Sequence, residues 1–173
     1  MKLSIALATT CVLLSAPAFA QSPATPHKTG AASSLTISTS EFVNKVIESN
    51  MFGVRAARMA EQKGAHENYA RRDVFDHTKV TNDLKMMVND GKVNAKIPGA
   101  LDNDRQAKLD ELGKLSGKSF DDTYNRDQRE SYQSEIGLFK VYAQNGDNPT
   151  LKQWATEMLP ALESNLIDAQ RLG

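Results

Sequence analysis

The chain has one cysteine, Cys11, one tryptophan, Trp154, and only 6% aromatic residues. Cys11 falls within the first twenty residues, so the remainder can form no disulfide, thiolate nucleophile or Cys-bound metal site. It follows Thr10, not the Gly or Ala that a lipid-attachment cysteine would follow. Neither sign of charge is in excess, with 21 Lys and Arg against 21 Asp and Glu. That balance argues against a nucleic-acid binder and against a polybasic membrane patch. There is no Gly-rich phosphate loop, no nucleophile elbow and no zincin motif. Serines sit mostly at helix starts and near the N-terminus, which argues against a Ser–His–Asp enzyme. No internal repeat and no strand-like alternation is present. Beyond residue 20 no stretch is apolar enough to span a bilayer.

What is present begins with a targeting pattern. Residues 1–20, MKLSIALATTCVLLSAPAFA, carry Lys2, an apolar core from Leu3 to Leu14, and Ala18-Phe19-Ala20 as a small-x-small cleavage signal. This is expected to be a secretory signal peptide cut near Ala20, and its core is too short for a membrane span. The product is expected in the periplasm or exterior of a bacterium, with no transmembrane segment. Residues 21–37 are rich in Pro, Ala, Ser and Thr and are expected to be a flexible leader that leaves His27 solvated. Residues 38–173 are long enough for one domain.

The domain reads as all-α. Residues 66–90 repeat at about 100° per residue and gather His66, Tyr69, Ala70, Asp73, His77, Val80, Leu84, Met87 and Val88 on one face. Arg71, Arg72, Lys79, Asn82, Lys85 and Asn89 occupy the opposite face. Upstream, Ser38-Thr39-Ser40-Glu41 fits a capping box. It opens a helix whose inward stripe is Val43, Val46, Ile47, Asn50, Met51, Val54 and Ala57, ended by Gly64. These two helices form a tight hairpin. Residues 91–102 contain Gly91, Pro98 and Gly99 and cannot continue the helix. A short helix over 103–116 follows, with Leu109, Leu112 and Leu115 as its apolar edge and Gly117 as its stop. It either covers Phe75 and Met86, on the outer face of the second helix, or leaves them exposed.

Ser119 is expected to cap a fourth helix with Tyr124, Gln128, Tyr132, Glu135, Ile136, Phe139, Tyr142 and Ala143 inward. Asn148 then caps a last helix, about 150–171, with Pro149 at its first position and a kink expected at Pro160. Its inward residues are Leu151, Trp154, Ala155, Met158, Leu162, Asn165, Leu166 and Ala169. Two long hairpins joined by a long connection match a ferritin-like four-helix bundle with a short extra helix in the crossover.

Hairpin geometry brings the inward polar residues of all four long helices to similar heights, at about 1.5 Å per residue. The expected belt is Asn50, Asp73, His77, Gln128, Tyr132, Glu135 and Asn165. Asp73 and His77 are four apart and therefore neighbours. A buried carboxylate requires a partner, and the expected arrangement is a hydrogen-bond network in which Asp73 orients His77 and Tyr132 or Asn165 completes it. Asp73, His77 and Glu135 would suffice in principle for a mononuclear metal site. A dinuclear carboxylate site needs Glu-x-x-His twice, and the chain has none. No cofactor is therefore expected.

Several motifs lie in order along the chain: Phe75-Asp76-His77-Thr78, Leu84, Ile97-Pro98, Leu112, Leu115-Ser116-Gly117, Phe120-Asp121, Tyr124, Gln128 and Leu159-Pro160. Together they resemble the bacterial exported family called domain of unknown function 4142, over about residues 41–172. The resemblance implies a ferritin-like helical bundle of a kind often labelled an outer membrane protein. Nothing in the chain resembles a barrel strand, and the resemblance supplies no biochemical role. It also implies Glu at the position of Gly53 and His at the positions of Tyr132 and Asn165, where this chain departs, while Asp76-His77 is kept. The expected function is a non-enzymatic binding or envelope-stress protein, whose partner is an envelope protein or a small ligand. The alternatives are a ferritin-like protein handling metal or peroxide through a degenerate site, and an adaptor that docks an envelope protein through Phe75 and Met86.

Overall fold

The computed structural model describes residues 36–173. The expected signal peptide, most of the expected leader and His27 lie outside the described residues. Ile37, the last residue assigned to the leader, packs against the core. Five helices follow in order: α1 (Thr39–Gln62), α2 (Glu67–Asn89), α3 (Asn103–Lys114), α4 (Gly117–Asn145) and α5 (Pro149–Gln170). Among the described residues there is no strand, and no helix is long and apolar enough to cross a membrane.

Local chemistry sets the helix ends. The Ser38 hydroxyl accepts the Glu41 N–H at 3.2 Å, and the Asn148 carboxamide accepts the Leu151 N–H at 2.9 Å ahead of Pro149. Both occupy orphan donors of a first turn. Gly64, at φ 69°, closes α1 in a Schellman turn, with Ala65 N–H donating to Ala60 C=O at 2.8 Å and Gly64 N–H to Glu61 C=O at 3.1 Å. Gly91, at φ 72°, closes α2 in the same way through Lys92 N–H to Met87 C=O. Glycine takes this left-handed backbone without a Cβ clash.

Side-chain pairs give the helix directions. Thr39, at the start of α1, bonds Tyr142 and Asp147 at the far end of α4. Lys63, just past the end of α1, reaches the Leu115 carbonyl just before α4 at 2.7 Å. These two helices are therefore antiparallel. Tyr69 and Asp73 meet Gln128 and Tyr132, so α2 and α4 run parallel. Arg72 and Asp76 meet Asp168 and Asn165, so α2 and α5 are antiparallel. Along the connectivity the four long helices run up, down, down, up. The segment holding α3 carries the chain back along the bundle.

Two apolar clusters fill the interior. One gathers Phe42, Val46, Ile47, Val80, Leu84, Phe139, Tyr142, Leu151 and Leu162. The other joins Phe52, Ala56, Ala60, Leu109, Leu112, Phe120 and Tyr124. Each large apolar side chain so buried contributes roughly 1.5–3 kcal/mol.

One open alternative is settled and three expectations change. The short crossover helix packs on α1 and α4, not on α2, so Phe75 and Met86 are left 67% and 57% exposed. Flanked on two sides, α1 buries a wider and rotated face: Phe42, Phe52, Ala56 and Ala60 are inside, whereas Met51 and Val54 are only partly covered. Gly117, at φ 53°, opens α4 behind Ser116, earlier than a Ser119 cap would allow. His66 precedes α2 at φ 48° and is half-buried, because the tight turn needs a left-handed residue there. The last helix continues through Pro160.

Asn148 does two jobs, since its Nδ2 also donates to the Lys92 carbonyl of the crossover at 2.9 Å. Asn148→Ala is expected to cost about 1–2 kcal/mol. Asn148→Asp, which keeps the cap alone, should cost less. Urea unfolding midpoints would measure both, and equal losses would show that the tie to the crossover contributes nothing.

Candidate functional site

Between the two apolar clusters α2 turns Asp73 and His77 inward, one helical turn apart and both buried. Ala70 on one side belongs to the second cluster, and Val80 and Leu84 on the other belong to the first. The His77 Nε2 lies 3.4 Å from Asp73 Oδ1. The Tyr132 hydroxyl, from α4, donates to the same carboxylate oxygen at 2.5 Å. Its ring stacks on the imidazole, with centroids 5.6 Å apart and planes 13° from parallel.

The Nδ1 edge of the imidazole is held by α1. Asn50 Nδ2 donates to the Val46 carbonyl at 2.6 Å, which leaves Asn50 Oδ1 to accept from His77 Nδ1–H at 2.9 Å. The amide orientation thus assigns the Nδ1 proton. Burial alone would lower the His77 pKa. The adjacent Asp73 charge and its hydrogen bond, helped by Glu135 and Asp76, raise it to about 9 instead. At neutral pH His77 is therefore held as an imidazolium beside Asp73. Burial and the Asp73 charge push the Tyr132 hydroxyl well above its ordinary value, so Tyr132 stays a neutral donor.

Glu135 is different. It is buried on α4, and neither carboxylate oxygen has a hydrogen-bond partner among the described residues. Asp73 Oδ2 is likewise without one. Burial pushes the Glu135 carboxyl up to about 7, against the opposing pull of His77. The residue borders a cavity of about 300 Å³ that is also lined by Asn50, Asp76, His77, Tyr132 and Asn165, together with Val80, Met158 and Leu162. It also borders a smaller recess of about 230 Å³ that includes Ser49, Arg105 and Ser134. Burial also raises the pKa of Asp76.

The expected belt therefore divides. Asn50, Asp73, His77 and Tyr132 form one bonded cluster. Glu135 adjoins it without bonds. Gln128 joins only through Tyr69, whose hydroxyl donates to Gln128 Oε1 at 3.3 Å. Asn165 is half-buried and donates to Asp76 at 3.4 Å. It does not complete the His77 network, because Asn50 occupies that place. Among the described residues no group of three or more His, Cys, Asp or Glu side chains is placed to hold a metal ion, and Asp73, His77 and Glu135 are not an exception. Asp76 lies outside the belt expected from the sequence. The signal for it was its place beside His77, in the motif that carries the family resemblance.

The family described as domain of unknown function (DUF4142) matches residues 24–172. The chain belongs to this family. No curated protein and no solved structure matches it. In this DUF4142 chain the absence of a side chain at Gly53 has a direct structural consequence. A Cβ at Gly53 would lie 2.3 Å from His77 Nε2 and 2.4 Å from its Cδ2. The imidazole therefore rests on bare α1 backbone, and any larger residue at 53 requires His77 to move.

Gly53→Ala should gain about 1 kcal/mol of helix propensity. It should lose more, about 1–3 kcal/mol, by forcing a hydrogen-bonded ring out of its place. In a His77→Ala background the same change should stabilise. A double-mutant cycle in urea measures this reversal, and simple additivity would contradict the contact.

The folded state holds protons that the unfolded chain releases. The His77 contribution is full below its ordinary 6.5 and is lost as pH rises through about 9. Glu135 costs nothing below its ordinary 4.5 and progressively more as pH rises through about 7. Stability is expected to fall by a few kcal/mol between about pH 5 and about pH 9. Urea titrations at both ends should show the loss, and it should shrink in Glu135→Gln. A flat profile in the unaltered chain would contradict the reading.

Proposed function

We propose that the chain is an exported, non-enzymatic binding protein, built as a ferritin-like four-helix bundle, that takes a small molecule into the cavity beside Glu135. The carrying observation is the Glu135 carboxylate: buried, without a partner, and on the wall of that cavity. An interior acceptor left unbonded costs about 1–3 kcal/mol or more, and a ligand with hydrogen-bond donors would offset that cost. The up-down-down-up order with one long crossover supports the ferritin-like reading. The signal-peptide pattern of residues 1–20 supports export. The non-enzymatic reading is supported by how the titratable groups are engaged: Asp73, His77 and Tyr132 bond one another and Asn50. Exposed Phe75 and Met86 favour a second reading, an adaptor that docks an envelope protein on the outer face of α2.

Glu135→Leu separates a binding role from a structural one. A structural Glu135 would make the variant less stable. Under the binding reading the variant should gain about 1–4 kcal/mol, as buried charges replaced by apolar groups often do, and should lose the small-molecule adduct seen by native mass spectrometry of the mature chain. Elemental analysis of the same sample should find metal far below one per chain. Stoichiometric metal that disappears in His77→Ala would overturn the proposal in favour of a metal-handling bundle.

A further inference from the structure

We infer that the cavity between α2 and α5 takes a small organic cation, an ammonium head with a short apolar tail. This deepens the binding role proposed above and rests on it.

The charges around the cavity do not cancel. His77 and Asp73 face each other at 3.4 Å and neutralise one another. Lys79, at the rim, is bonded to Asp83 at 2.7 Å. Asp76 and Glu135 are then the remaining groups on the lining that can carry charge near neutral pH, and both are carboxyls. The hydrogen bond from Asn165 to Asp76 is long at 3.4 Å, and Glu135 receives none among the described residues.

An ionised carboxylate only accepts hydrogen bonds. An ammonium head brings three donors together with the opposite charge. A ligand carboxylate would bring like charge and more acceptors. A neutral hydroxyl would bring one donor and leave the charge uncompensated. Val80, Met158 and Leu162 also line the cavity and give it an apolar part suited to a short alkyl chain. At about 300 Å³ the space lies at the small end of ligand pockets.

Chemical-shift titrations of the isotope-labelled mature chain with n-butylamine, n-butanol and sodium butyrate would compare three heads on one tail. The amine is expected to bind at least about tenfold more tightly than the alcohol, as a charged hydrogen bond implies. Its shifts should centre on Glu135 and Asp76, and butyrate should not bind. Glu135→Gln, kept folded as judged by circular dichroism, should weaken the amine about tenfold or more. If butanol or butyrate binds in the cavity as well as the amine, the cation inference fails while the binding role stands. If no probe shifts cavity residues, both fail. Amine binding unchanged in both Glu135→Gln and Asp76→Asn would place the cation elsewhere and overturn the inference.

Discussion

A carboxylate and an imidazole lie one turn apart inside an otherwise apolar bundle, and the middle of the structure is arranged around them. Separately, either charge would be costly away from water. Together Asp73 and His77 neutralise each other, Tyr132 donates to the carboxylate, and Asn50 fixes the imidazole. Those partners come from α1 and α4, so both helices must meet α2 at one register and one rotation. Gly53 belongs to the same requirement, because only a residue without a Cβ lets the His77 ring lie against α1. The apolar clusters on either side hold the helices at that register.

Glu135 stands one step outside this arrangement. The Asp73–His77 cluster is largely satisfied, and satisfied buried networks rigidify a core. Glu135 has both oxygens unbonded and a pKa pushed up by burial. The difference separates two elements of one interior: a bonded cluster that positions the helices, and a neighbouring buried acid residue that lines a cavity. Its cavity joins acidic and apolar walls. Under the proposed binding role, stability and binding are opposed at this one residue.

Much of the secondary structure was legible because its signals are local. Ser38, Gly64, Gly91, Asn148 and Pro149 act within a turn of where they stand, and each behaves as its chemistry predicts. The inward face of α2 was legible because a single stripe is buried. The face of α1 was read too narrowly, since α3 covers a second side of it and nothing in the periodicity of α3 says where it docks. Heights along the hairpins paired Asn50 with His77 correctly, because rise per residue is a fixed quantity. They misjudged Asn165 and Gln128, because height does not specify rotation about the helix axis. Asp76 and Asn165 meet at the α2–α5 seam, and Gln128 turns toward Tyr69.

By itself the sequence determined an all-helical domain, most of the ends of its helices, its two hairpins and the presence of polar groups at mid-bundle. These follow from backbone propensity, capping and the 3.6-residue period, which act over short stretches of chain. Only the tertiary structure decided which polar groups bond and which do not, that α3 leaves Phe75 and Met86 uncovered, and that Glu135 borders a cavity. Those depend on rotations and separations between helices far apart in the chain. Tight packing converts a change of less than one residue's width into a different set of partners.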